Sequence, residues 1–168
     1  MATRHRLVAR LRLPLLVATI AALACSRNKM AAHQTELNAF ATRYAAAWSS
    51  QNPASLAAFY SERGSLTVND GMPSVGRAAI ATTVGSFMRA FPDMVVRLER
   101  VEDEGGQVVF HWIWTGTNSG PGGTDKPVRI RGYEEWIMDS DGHIAESKGH
   151  YDEGEYQRQL RAAAPRTP

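Results

Sequence analysis

The sequence predicts an α+β fold, in which helices cover one face of an antiparallel sheet. In the first half of the 168-residue chain, apolar residues recur at helical spacing, whereas from about residue 94 onward they alternate with polar residues. The dipeptide Asp141-Gly142 between two alternating segments predicts a tight hairpin. Because the helices precede the strands instead of alternating with them, the pattern favours an α+β fold over an α/β fold.

The N-terminal segment, Met1 to Ala24, has the pattern of an export signal. Its first twelve residues hold four arginines and no acid, and the apolar run after them is shorter than the roughly 20 residues of a membrane span. Cys25, the only cysteine, directly follows small residues and so resembles the lipidated cysteine of bacterial lipoproteins. We therefore expect an exported protein anchored in a membrane through Cys25, on the periplasmic side or at the cell surface. Ordinary cleavage that leaves a free thiol is the alternative.

Removal of that segment changes the charge of the chain. The whole sequence has a formal charge of +2, from 19 basic and 17 acidic residues, and the four arginines of the signal leave the remainder at −2. No clustered basic surface is visible, so we expect no nucleic-acid partner. The histidines lack the spacing of metal ligands and the glycine-rich segment lacks a phosphate-loop lysine, so we expect no metal and no cofactor.

Three helices are predicted before the strands. After a polar tether at residues 25–34, a domain at residues 35–163 opens with an amphipathic helix near residues 35 to 50. Asn52-Pro53 begins a short second helix that we expect to end at Gly64. Gly76 opens a third helix, which Pro92 closes.

The remaining segments alternate with period two and predict strands, with a short helix at the end. The predicted strands are Ser65 to Asn69, Met94 to Val101, Val108 to Thr115, Val128 to Asp139 and Ile144 to Tyr151, and the helix runs from Asp152 to about Ala163. The segment from Val108 to Thr115 is apolar on both faces, although only one face can meet the helices. We therefore expect a homodimer formed through the outer face of the sheet.

The predicted hairpin turn fixes the register of the last two strands. A two-residue turn at Asp141-Gly142 places residues opposite each other when their numbers sum to 283, so Glu135 faces Lys148 and Glu134 faces Gly149. Glu134 then lies on the apolar side of the sheet, and we expect the small residues around it to leave space: Gly132, Ser147 and Gly149. A carboxyl group there is expected to have a raised pKa, which suits proton transfer. The alternative is a structural glutamate hydrogen-bonded to a nearby tyrosine or tryptophan.

Two further residues are candidates for catalysis. Asp152 precedes the last helix, where an N-cap is the alternative role. His111 lies in an apolar strand, where a hydrogen-bonded core histidine is the alternative. We expect aromatic side chains to line a pocket, and the candidates are Tyr44, Trp48, Tyr60, Phe87, Trp114, Trp136 and Tyr151. The loop from Gly116 to Pro127 is interpreted as a lip of that pocket or as a plain hairpin connection.

The order of several short motifs resembles SnoaL-like proteins, the polyketide-cyclase branch of the nuclear-transport-factor-two-like fold. The motifs are Phe91-Pro92-Asp93, the strand running into Gly116-Thr117, Asp141-Gly142-His143-Ile144 with Glu146, and Asp152 ahead of Gln159-Leu160. The resemblance covers residues 37–161. It implies a cone of helices and curved sheet around a deep apolar pocket, often dimeric through the sheet.

The same resemblance implies where catalytic groups would stand. The family's acid/base aspartate corresponds to Gly149 or to Asp152, and its histidine corresponds most nearly to Glu134. Ser147-Lys148 replaces the family's His-Trp pair. We therefore expect a pocket for a small, largely apolar organic molecule, either in an ester cyclase or polyketide cyclase-type enzyme that uses acid/base chemistry or in a non-catalytic binding or scaffold lipoprotein.

Overall fold

The computed structural model describes the backbone of residues 13–161 and the side chains of residues 27–161. The predicted signal segment and Cys25 therefore lie outside the residues whose side chains are described. The chain divides into two compact units, one ending at Glu36 and the other beginning at Leu37. The sheet and the cavity belong to the second unit. No helix in the described part of the chain has the length and apolarity needed to cross a membrane.

Four helices are present, and local sequence explains their ends. They are α1 (Leu13–Trp48), α2 (Pro53–Ala57), α3 (Arg77–Ala90) and α4 (Glu153–Arg161). The side chain of Asn52 accepts a hydrogen bond from the Ser55 N–H and so caps α2, with Pro53 at its first position, as predicted. The first helix begins at Leu13, well before the predicted start near residue 35.

Six strands form one curved, open, mixed sheet. The strands are β1 (Tyr60–Val68), β2 (Ser74–Val75), β3 (Val95–Asp103), β4 (Gln107–Thr117), β5 (Pro127–Met138) and β6 (Ile144–Tyr151), in the order β2-β1-β6-β5-β4-β3. The predicted α+β cone, with helices packed on the sheet and a short C-terminal helix, is confirmed. The sheet is not antiparallel throughout, because β1 runs parallel to β6.

The prediction that the second helix ends at Gly64 is wrong. The helix ends at Ala57, and Gly64 lies inside β1, where the pairing with β6 shifts between Tyr60 and Ser65. A Cβ atom at Gly64 would stand 2.7 Å from the carbonyl oxygen of Ile144. The glycine therefore permits the close approach of two backbones at an irregular point of the sheet.

The predicted register of the β5–β6 hairpin is confirmed, although its turn differs. Glu134 lies opposite Gly149 and Glu135 opposite Lys148. The turn is one residue longer than expected, with the Gly142 N–H donating to the Asp139 carbonyl and Gly142 at φ 79°. Ala145 then forms a bulge between the pairs Ile137–Glu146 and Met138–Ile144. The extra residue in the turn and the extra residue in the bulge compensate, so the faces of the strands are as predicted.

The core lies between the helices and the concave face of the sheet. On β4, Phe110, Trp112 and Trp114 are buried, and on β5, Ile130, Glu134 and Trp136 are buried. Gly132 shares this inner face, whereas the alternate residues His111, Tyr133 and Glu135 project to the outer face. The alternation of the central strands therefore determines which side chains reach the interior.

Candidate ligand-binding site

An inner cavity opens between the helices and the concave face of the sheet. Its interior volume is about 60 Å³, and about 520 Å³ is free of protein atoms when the open mouth is counted, so the site is a small inner space continuous with an open mouth. Eleven residues from α1, α3 and the sheet line it: Trp48, Leu66, Val68, Phe87, Met94, Val96, Trp112, Trp114, Glu134, Gly149 and Tyr151. Within residues 27–161, Glu134 is the only acid in this wall, and no lysine, arginine or histidine contributes to it.

The carboxyl group of Glu134 is held by three donors that all bind the same oxygen. Its Oε2 atom accepts hydrogen bonds from the Tyr44 hydroxyl at 2.8 Å, the Trp136 indole N–H at 2.9 Å and the Ser147 hydroxyl at 2.7 Å. Within residues 27–161, none of these bonds reaches the second oxygen, Oε1. The side chain is therefore fixed in orientation, and Oε1 takes part in none of these bonds.

Burial sets the protonation of this group. The side chain is 4% exposed, and burial raises the pKa of Glu134 above its ordinary value, although the three donors act in the opposite direction. The Tyr44 hydroxyl also hydrogen-bonds the Tyr60 hydroxyl at 2.8 Å. Burial, with the nearby charge of Glu134, raises the pKa of both tyrosines, so both stay neutral near neutral pH. Glu134 is thus the one group at the cavity that is suited to exchange a proton.

The predicted aromatic residues separate into two groups. Trp48, Phe87, Trp114 and Tyr151 line the inner cavity. Tyr44, Tyr60 and Trp136 are fully buried and do not line the cavity. Tyr44 and Trp136 donate hydrogen bonds to Oε2, so they orient Glu134 without forming part of the cavity wall.

Sequence reasoning missed five residues of the wall: Leu66, Val68, Met94, Val96 and Trp112. Trp112 shares a face of β4 with Trp114, so alternation along that strand was a usable indication. The other positions depend on strands β1 and β3 meeting across the cavity, which no local pattern reveals.

The two glycines near Glu134 have different surroundings. A Cβ atom at Gly149 would lie 3.5 Å from Glu134 Cγ, an ordinary contact, so this glycine leaves room in the cavity as predicted. A Cβ atom at Gly132 would overlap the Trp112 ring and the carbonyl oxygen of His150. The space at Gly132 is therefore filled by Trp112, which corrects the expectation that it forms part of the cavity.

His111 lies on the outer face of the sheet, because its neighbours Phe110 and Trp112 occupy the inner one. Its Nε2 atom lies 3.0 Å from the guanidinium of Arg100, and its ring lies beside that of Tyr133 at 5.8 Å. The structure does not bring His111 to the inner cavity, so a role as its general base has no geometric support.

Asp152 caps the last helix, which was the alternative to catalysis. Its Oδ1 atom accepts the Glu155 N–H at 2.9 Å. The residue is exposed and lines a second, more open cleft with Asn69 and Arg131, away from Glu134. Asp152 and Glu134 are therefore not brought together.

Two buried indole N–H groups, those of Trp112 and Trp114, have no acceptor among the described residues. Each such donor costs about 1–3 kcal/mol. Neither nitrogen is accessible, so a ligand in the cavity contacts the ring carbons of these side chains and not their N–H groups.

The loop after β4 does not line the inner cavity. Asn118 organises it, because its side chain accepts the Thr124 N–H at 2.8 Å and donates to the Ala90 carbonyl at 3.3 Å. The Gly120 N–H also donates to the Ala90 carbonyl. The loop is thus attached to the end of α3, and its interpretation as a lip of the pocket has no support.

A half-cone of helices on a curved sheet, enclosing an apolar cavity with one buried acid, defines the class of small-molecule-pocket folds to which SnoaL-like and nuclear-transport-factor-two-like proteins belong. Residues 41–147 match the family model described as the SnoaL-like domain, which spans more than half of the chain. The chain belongs to the SnoaL-like family.

Solved structures of low identity share this fold. A hypothetical protein from Catenulispora acidiphila with a ketosteroid isomerase-like fold, in complex with trimethylamine, is 19% identical, with a TM-score of 0.65 over 77% of this chain and 97% of that one. A protein described as a hydroxylase from Streptomyces galilaeus is 21% identical, with a TM-score of 0.64 over 80% and 86% of the two chains. A protein described as a polyketide cyclase from Xanthomonas campestris is 20% identical, with a TM-score of 0.61 over 76% and 98%. No curated protein matches the chain significantly.

Proposed function

We propose that this protein binds a small, largely apolar organic molecule in the inner cavity, with Glu134 Oε1 as its polar contact. The observation that carries the proposal is the fixed carboxyl group of Glu134, which places one unbonded oxygen at an otherwise apolar, aromatic wall. A structural glutamate alone would not require an open cavity beside it. The fold neighbours described as a cyclase and a hydroxylase, and the one in complex with trimethylamine, agree with a small-molecule role.

A fluorescent probe tests this proposal. N-phenyl-1-naphthylamine, which is neutral and apolar, should bind saturably to the wild-type protein and gain fluorescence. Gly149→Val should weaken that binding by about tenfold or more, because its side chain occupies the cavity beside Glu134. Lys148→Val, on the exposed face of the same strand, is the matched control and should bind normally. Absence of saturable binding, or equal effects of the two substitutions, would refute the proposal.

Acid/base catalysis of the cyclase type is a second candidate, and the raised pKa of Glu134 favours it. A carboxyl group with one unbonded oxygen can take a proton from a carbon next to a ketone and return it. Exchange of the α-protons of 2-tetralone in D₂O, followed by NMR, measures this step directly. We expect faster exchange with wild-type protein and none above background with Glu134→Gln, whereas Glu135→Gln on the outer face should behave as wild type.

We also propose that the chain is an exported lipoprotein anchored through Cys25. The support is the sequence alone: basic residues, a short apolar run and small residues directly before the only cysteine. Cys25→Ser should move the protein from the membrane fraction to the soluble fraction or leave it unprocessed. Identical fractionation of variant and wild type would contradict the anchor.

A homodimer through the outer face of the sheet is the remaining proposal. Tyr133 and Ile137 are large hydrophobic side chains exposed on that face, at 38% and 44%. Their burial against a second copy would remove apolar surface from water.

A further inference from the structure

The composition of the cavity wall restricts the charge of its ligand. Five of the eleven lining residues are aromatic: Trp48, Phe87, Trp112, Trp114 and Tyr151. Among the residues that the structure describes, Glu134 is the only group in the wall that can carry a charge near neutral pH, because burial raises the pKa of Tyr151. A ligand anion would meet no cation here, whereas a ligand cation would meet both a carboxylate and aromatic rings.

Aromatic rings around a carboxylate are a favourable environment for an alkylated ammonium ion. The face of an aromatic ring attracts a cation, and the attraction is stronger where the cation is shielded from water. Alkyl groups on the nitrogen spread the charge and contact apolar walls, so such a cation loses less hydration on entering than a bare ammonium does. The remaining wall residues are aliphatic or thioether side chains that match those alkyl groups.

The hydrogen bonds of Glu134 indicate how many alkyl groups the nitrogen of an amine ligand would carry. Oε2 is already occupied by Tyr44, Trp136 and Ser147, so the wall offers one free carboxylate oxygen. A primary ammonium brings three N–H donors and would leave two of them without acceptors in an apolar space. A tertiary ammonium brings a single N–H, which Oε1 satisfies. The structure therefore favours a tertiary amine over a primary one.

We propose that the ligand of the inner cavity carries a tertiary amine, whose N–H binds Glu134 Oε1 and whose alkyl groups contact the aromatic wall. This inference rests on the proposed function of the cavity and specifies its ligand class. Where Glu134 holds its proton on Oε1, a neutral amine accepts it: the O–H bond breaks, the N–H bond forms and the carboxylate keeps the electron pair. The donors on Oε2 stabilise the carboxylate that results.

Competition against N-phenyl-1-naphthylamine tests the inference with three probes that share a benzyl group. N,N-dimethylbenzylamine is the tertiary amine, isobutylbenzene is its neutral carbon isostere, and benzylamine is the primary amine. At neutral pH the tertiary amine should displace the fluorescent probe at about tenfold lower concentration than either of the others. Glu134→Gln should remove this preference and leave binding of isobutylbenzene unchanged. Glu135→Gln, one residue away on the outer face, should retain it.

The outcomes separate the inference from the proposed function. If the fluorescent probe binds but isobutylbenzene competes as well as the tertiary amine, or if Glu134→Gln leaves the preference intact, the amine inference is refuted and the apolar pocket stands. If benzylamine competes as well as the tertiary amine, the argument from a single free oxygen is refuted. If the fluorescent probe does not bind saturably to the wild type, both the proposed function and the inference are refuted.

Discussion

The two carboxyl oxygens of Glu134 have different surroundings, because three hydrogen bonds bind Oε2 and none of them binds Oε1. Three buried donors orient the side chain through Oε2, which is the pattern of a structural glutamate, and Oε1 remains available beside the cavity. The two interpretations of this residue from the sequence are therefore compatible. The three donors orient the carboxyl group, and the cavity beside it provides space for a ligand.

The first prediction at the scale of the residue concerns Glu134→Gln and pH. Burial raises the pKa of the folded-state carboxyl above its ordinary 4.5, so above that pH the folded protein retains a proton that the unfolded chain has lost. The stability this provides is complete below about pH 4.5 and is lost as pH rises through the folded-state pKa. Glutamine keeps an oxygen for the three donors and does not titrate.

Melting temperatures of the two proteins, measured from about pH 4 to pH 8, check this prediction. The variant should match the wild type at the acid end and gain relative stability as pH rises. Parallel curves would contradict a raised pKa. A variant less stable by more than about 1 kcal/mol at every pH would show that the carboxyl group serves structure alone.

The second prediction compares two glycines that are close in space. Gly132→Ala should destabilise the protein by about 1–3 kcal/mol, because its methyl group would overlap the Trp112 ring and the His150 carbonyl. Gly149→Ala should cost much less, since its methyl group would make an ordinary contact with Glu134. Urea denaturation of both variants decides the matter, and equal losses would contradict the described packing.

At the scale of the element, the β5–β6 hairpin shows both what sequence can predict and where it fails. The register was predicted from a two-residue turn, and it is correct because the extra turn residue and the bulge compensate; the alternation of large apolar residues such as Trp136 specifies the same register. The bulge at Ala145 restores the alignment, and burial of Trp136 and Ile144 requires that restoration. Core packing thus determined the register, while the turn adapted to it.

The pairing of β1 with β6 could not be predicted in the same way. Residues 60–64 read as the end of a helix, but Tyr60 is fully buried and its hydroxyl belongs to the network at Glu134. These contacts join residues far apart in sequence, which local periodicity does not report. The same limit explains why Leu66 and Val96 were missed as parts of the cavity wall.

The prediction at this scale concerns the start of α4. Asp152→Ala should destabilise the protein by about 1 kcal/mol, because the Glu155 N–H loses its capping acceptor. Binding of N-phenyl-1-naphthylamine should not change, since Asp152 does not line the inner cavity. Urea denaturation and probe titration together check both parts. Loss of binding with unchanged stability would instead support a direct role for Asp152 at the ligand site.

At the scale of the whole molecule, the sheet has two chemically different faces. Its concave face holds the core and the inner cavity, whereas its outer face carries Tyr133, stacked on His150 at 4.8 Å, and the exposed Ile137, with Glu135 between them on the same strand. Charged side chains, such as the ion pair of Arg131 and Glu99, surround these residues. The charged residues among them are paired, since Glu135 also contacts His150 at 3.2 Å, so the two hydrophobic side chains are the basis of the proposed self-association surface.

The corresponding prediction is that Ile137→Glu converts a dimer to a monomer. A charge at the centre of the proposed interface would be buried without a partner in the dimer but solvated in the monomer. Light scattering at micromolar concentration measures the mass of both proteins. Thr82→Glu, at an exposed position of α3, which packs on the opposite side of the sheet, is the control and should leave the dimer intact. A wild-type monomer at this concentration would contradict the proposed interface.

Titration of the Glu134 carboxyl carbon by NMR tests the central claim most directly, because it observes the group that is proposed to meet the ligand. With the resonance assigned by comparison with Glu134→Gln, the free protein should show a pKa above the ordinary 4.5, as burial requires. Saturation of the cavity with N,N-dimethylbenzylamine should lower that pKa, because a cation beside Oε1 favours the carboxylate. A pKa at or below the ordinary value in the free protein, together with no response to any cavity ligand, would contradict the account.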